Sequence, residues 1–137
     1  MSELIKSFKT ALFSNQAPGS FHAAVSGRIY HDQAPQNSAM PLAVWLVRSS
    51  GVDTSFTGKN AHEMSVEVTI YATRGSLATA MDAEAKLFAL IHNTSTAAGA
   101  GFTIGGANIL CLSRSVHRII ENAHAVTDTF RIEAHDA

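Results

Sequence analysis

Between Met64 and Ala72 the chain alternates with a period of two. Met64, Val66, Val68, Ile70 and Ala72 fall on one side, and Ser65, Glu67, Thr69 and Tyr71 on the other. That period belongs to a half-buried strand. Near the start, Leu4, Ile5, Phe8, Leu12 and Phe13 recur at helical spacing, with Lys6, Lys9 and Thr10 opposite. This predicts an amphipathic helix over roughly 2–14, with Ser2 as N-cap and residues 15–19 as the stop. Residues 21–26 read as a turn or half-helix, and Gly27 to His31 as a short strand. Residues 32–40 are loop chemistry around Pro35. Pro41 opens the nearly continuous apolar strand 42–47, whose character suggests burial on both faces. Residues 49–60 are polar, with Gly51 and Gly58, and predict a long loop or hairpin tip.

Ser76 is expected to cap a helix running to about His92. Its apolar stripe is Leu77, Met81, Phe88 and Ile91, with Ala85 and Leu87 at the margins. Asp82 and Glu84 lie towards its start and Lys86 and His92 towards its end, the order that suits the helix dipole. Residues 94–101 are small and flexible, and a short strand at 102–104 precedes a Gly105-Gly106 turn. Strands at about 108–120 and 125–134 end the chain, joined at Asn122-Ala123. The order predicts a single α+β domain over 1–137. Its mainly antiparallel sheet has about five to six strands, with two helices packed on one face. The other sheet face then needs a cover, and contact between subunits is a natural use for Trp45, Tyr71 and their neighbours.

Composition narrows the function. Of 137 residues, 46% are hydrophobic and 15% charged, which supports a real core rather than a disordered tail. The net charge of −1 and the absence of any Lys/Arg run argue against tight nucleic-acid binding. The start lacks the marks of a signal peptide, and no stretch reaches the roughly 20 apolar residues of a membrane span. A soluble, intracellularly made protein is therefore expected.

The lone Cys111, within Ile109-Leu110-Cys111-Leu112, reads as a small buried hydrophobe. Seven histidines are scattered, with no i, i+4 pair and no local cysteine, so they suggest no metal site. No Gly-x-Ser-x-Gly elbow or phosphate loop is present. Asp32, Asp53, Glu63, Glu67, Asp128 and Glu133 stand singly, though folding could pair some of them. No catalytic residue, cofactor or metal is assigned.

The ordered set Gly27-Arg28-Ile29-Tyr30, Ala34-Pro35, Met40 to Trp45 and Val66 to Ala72 resembles the tail-terminator, or tail-completion, proteins of long-tailed phages and prophages. The resemblance runs through almost the whole chain and is weakest after Thr94. It implies a non-enzymatic virion protein of the neck region, made in the host cytoplasm. Such a protein caps the head-proximal end of the tail tube as a homo-oligomeric ring, expected to be a hexamer, and ends tail polymerisation. Its partners would be other copies, the tail tube protein and a head-side connector, with DNA passing through the lumen without sequence-specific binding. On this reading Arg28, Tyr30 and Pro35 belong to a subunit contact, and so do Trp45 and Tyr71. Asp53, Phe56 and Lys59 sit on a polar loop that is either a solvated hairpin tip or an arm touching the tube or a neighbour. Two alternatives stay open: a head–tail stopper or adaptor, and a small-molecule enzyme on the same scaffold.

Overall fold

The alternating strand predicted around Val68 forms the middle of the sheet. In a computed structural model, the described residues are 2–54, 60–92, 94–96 and 107–135; the side chains at 2–3, 7, 53–54, 60–61, 94–96, 107–108 and 135 are not among them. Three helices and six strands follow in the order α1 (Ser2–Leu12), α2 (Phe21–Ala24), β1 (Ile29–His31), β2 (Leu42–Thr54), β3 (Asn60–Thr73), α3 (Leu77–Ile91), β4 (Thr94–Thr96), β5 (Ala107–Ile120) and β6 (Ala123–His135). They build one sheet in the order β1-β2-β3-β6-β5-β4. Among the described residues β1 and β2 run parallel and the other pairs are antiparallel. The α+β expectation, with helices on one face of the sheet, holds.

The core follows from two periodicities meeting. Leu4, Phe8 and Leu12, spaced by four on α1, are fully buried. They lie against the face of the sheet that carries Ala43 and Trp45 of β2, the buried set Met64, Val66, Val68 and Ile70 of β3, and Val126, Phe130 and Ile132 of β6. Phe8 packs on both Trp45 and Phe130, with ring centroids 5.4 and 6.2 Å apart. Burying side chains of this size supplies most of the drive to fold, roughly 1.5–3 kcal/mol each relative to exposure.

Local chemistry sets the element ends. Ser20 holds extended backbone geometry and its Oγ accepts from the Ala23 amide at 3.2 Å, capping α2. Gly27 follows at φ +72°, where a Cβ would lie 3.1 Å from the His22 ring. Arg28 Nε donates to the Pro41 carbonyl at 3.0 Å, and the Met40–Pro41 peptide is cis. The Arg28 bond ties the two ends of the 32–41 loop together.

Several expectations are corrected. The polar stretch 49–60 is not mainly loop: β2 continues to Thr54 and β3 begins at Asn60, so only 55–59 lie between them. Ser76 makes no side-chain cap; its Oγ accepts from Thr73 Oγ1 instead. The buried stripe of α3 is Ala80, Ala83, Glu84, Leu87 and Ile91, while Met81 is 39% exposed. The predicted stripe was rotated because it excluded a charged residue, Glu84, that tertiary pairing allows inside. Thr94–Thr96 form a strand where a flexible segment was expected, since the three residues find partners on β5. The strand expected at 102–104 and the Gly105-Gly106 turn lie outside the described residues.

Candidate interaction surface

The three helices of the described residues lie on one side of the sheet, and no described helix covers its other face. Cross-strand register assigns its rows: Leu46–Glu67–Thr129–Ser113, Val44–Thr69–Thr127–Val116, and Leu42–Tyr71–Ala125–Arg118. In the middle row the hydroxyls of Thr69 and Thr127 lie 3.0 Å apart, and both residues are buried. Charges of both signs border them. Arg48 is ion-paired with Glu67, and Arg131 lies 3.6 Å from Glu133.

Exposed apolar side chains collect along the β5 border of the sheet, Leu110, Val116 and Ile120 on the open face and Ile119 on the other. Eight large hydrophobic residues are exposed among the described residues, and five of them stand on β5: Leu110, Leu112, Val116, Ile119 and Ile120. A sixth, Val52, is on β2. Single exposed apolar residues are ordinary, but clustering on one strand marks an interaction surface.

The 32–41 loop folds beside the open face. It encloses a shallow cleft of about 540 Å³ lined by Pro35, Met40, Leu42, Val44, Tyr71 and Glu121, among others. The cleft brings together two of the predicted contact residues, Pro35 and Tyr71. Its ionisable lining groups are Asp32, Tyr71 and Glu121, with no histidine or cysteine. Among the described residues, no group of three or more His, Cys, Asp and Glu is arranged to hold a metal ion.

The remaining predicted residues divide. Tyr30 pairs with Val44 and is half-buried towards the open face. Arg28 serves the loop through its bond to Pro41. Trp45 is corrected: it is 1% exposed and lies on the helix-covered face, stacked on His31 at 4.0 Å and against Phe8. The continuous apolar run 42–47 hid which alternate residues face which way, and pairing with β3 decides it. Phe56 and Lys59 lie outside the described residues, as does the side chain of Asp53.

A polar cluster that no local pattern marks lies on the helix side, at the bulge of β5. Arg114 Nε donates to Glu84 Oε1 at 2.6 Å, and its guanidinium sits 3.9 Å from the centre of the Phe88 ring. The Ser115 amide donates to Asp128 Oδ1 at 2.8 Å. Burial pushes the Asp128 carboxyl up to about 7, the Ser115 bond opposes this, and the neighbouring Glu84 carboxylate raises it further. With both acids ionised, Asp128 Oδ2 has no partner. A proton on Asp128 hydrogen-bonds to the neighbouring Glu84 carboxylate. The bond from Arg114, the stacking on Phe88 and the Ser115 amide make this a structural anchor that fastens β5 to α3. Nearby, Cys111 is half-buried rather than buried. Its Sγ donates to the Ser113 carbonyl at 3.2 Å, and burial pushes the thiol up, away from a reactive thiolate. His92 Nδ1 accepts from the Cys111 amide at 3.1 Å.

Taken together, these features define a small α+β sheet protein with one face free of helices among the described residues and an exposed apolar border strand. A family model described as "Tail completion protein gp17" matches residues 15–128, and the chain belongs to that family of phage-tail structural proteins. Among solved structures, it is similar in fold to a chain of the "Virion of native gene transfer agent (GTA) particle". That similarity has a TM-score of 0.64 at 13% identity and covers 94% of this chain and 92% of the other. No curated protein matches the sequence. Among the described residues, no helix is long and apolar enough to cross a membrane.

Proposed function

We propose that this chain is a tail terminator. Copies assemble as a ring, expected to be a hexamer, on the head-proximal end of the tail tube. The ring ends tube polymerisation and offers its far side to a head-side connector. The work is done by surface complementarity, without catalysis.

The observation that carries this is a sheet with a helix-free face and exposed apolar residues along its β5 border, in a chain of the tail completion family. A repeated head-to-tail contact closes into a ring or runs on as a filament, and a terminator requires closure. The open face carries both Arg118 and Arg131 and Glu63, Glu67 and Glu133, so it offers no continuous basic track. That mixture suits DNA passing through a lumen without tight phosphate binding.

The test is the mass of the purified protein, alone and with tail tube protein. A closed oligomer that binds tube ends and stops their growth supports the proposal. A monomer that never binds tube ends refutes it. Label found against the portal in intact particles, away from the tube end, would place the chain elsewhere in the neck.

A further inference from the structure

The two borders of the sheet are covered only in part, and in complementary places. On the β2 side, β1 pairs with Ala43–Trp45, and the Asp32 amide bonds the Trp45 carbonyl at 2.8 Å. Beyond that point, positions 46–54 of β2 have no outer strand among the described residues. On the β5 side, β4 pairs with Ala107–Ile109, and His92 satisfies the Cys111 amide. Beyond that point, positions 112–120 of β5 have no outer strand among the described residues. Each border therefore leaves a segment without an outer strand, interrupted on β5 by the bulge, where Ser115 has φ +57°, its amide bonds Asp128 and the Ser113 carbonyl accepts from Cys111.

Open edges of this length invite another strand, and soluble proteins usually blunt them. Here the apolar side chains concentrate where the backbone is open. Leu112, Val116, Ile119 and Ile120 lie along the β5 edge, and Val52 along the β2 edge.

We infer that the β5 edge at 112–120 of one copy pairs with the β2 edge at 46–54 of the next, so that the sheet runs on from subunit to subunit. This rests on the ring proposed above and names the contact that would close it. The occupant is a second copy because the chain carries both halves of the joint at opposite borders of one sheet. Strand direction agrees. β2 and β6 point the same way and β5 opposes them, so rotation about a ring axis sets β5 antiparallel to the next β2.

The covered ends agree as well. Register carries Val52 through His62 and Ala134 to Ala107, so β4 covers β5 at the end of the sheet away from β1. Neighbouring copies must therefore meet with an offset along the strands. A closed barrel requires such a stagger, whereas a flat sheet does not. The bulges at Val47/Ser49 and between Cys111 and Val116 make both edges irregular, which favours one register over indiscriminate pairing.

Disulfide trapping tests this. In a Cys111→Ser background, one variant carries a single cysteine on the β2 edge, Ser49→Cys or Ser50→Cys. A second carries one on the β5 edge, Val116→Cys or Arg118→Cys. Several pairs are needed because a disulfide demands Cα atoms within roughly 7 Å. Oxidised with tail tube protein present, mixed variants are expected to give covalent dimers that neither gives alone. Chains with both cysteines are expected to give a ladder ending at the ring's copy number. Hydrogen exchange on the unmodified chain is expected to slow at both segments on assembly. Cross-links between like variants, or to the tube protein, would overturn the inference. So would intact rings without cross-links and without protection at both segments, a result that leaves the ring standing and removes only this joint. Absence of rings altogether would remove the ring and the joint together.

Discussion

Asp128 places a proton where the unfolded chain would not keep one. Its carboxyl is pushed from 3.8 to about 7 by burial, with Glu84 adding to the rise. The folded chain therefore holds a proton that the unfolded chain releases between about pH 4 and 7. Stability contributed by this group is present below that window. It falls as pH rises through it, by no more than about 1.4 kcal/mol per pH unit, and levels off above about 7. Asp128→Asn supplies a permanent donor towards Glu84, and urea titrations from pH 4 to 8 should show a flatter stability profile for it than for the parent. Thr69 and Thr127 give a second test on the open face. Either one changed to Val strands a buried hydroxyl and should cost about 1–3 kcal/mol, whereas the double variant should return close to the parent.

At the scale of elements, α1 is the lid on the sheet, and Phe8 is its main plug between Trp45 and Phe130. Phe8→Ala should destabilise the fold by about 3–5 kcal/mol in denaturant unfolding. α1 and β3 were legible in the sequence because each buries one side, and local periodicity records that directly. What was not legible depends on residues far apart in the chain. Glu84 occupies a core position because Arg114, thirty residues later, meets it. Ser49 to Thr54 extend because β3 returns beside them, although serine and glycine favour loops. Trp45 faces α1 because its partner on β3 is Val68 of the buried set. The same limit applies to the contact surface. Tyr71 and Pro35 could be named from their positions, but the apolar border of β5 emerges only once the helices are seen to leave it uncovered.

The whole molecule is half a structure in one sense: a sheet covered on one face, with both borders partly open. Tyr71 is half-buried on the uncovered face, beside the cleft. Tyr71→Glu should therefore leave the melting temperature within a few degrees of the parent while weakening assembly, as read by light scattering with and without tube protein. The central claim concerns what this surface is for, and electron microscopy of tails assembled in the presence of the protein tests it most directly. The account predicts one ring of density at the head-proximal end of each tube and tubes that grow no further. Tubes that lengthen freely, with the protein remaining as single subunits in solution, would contradict it.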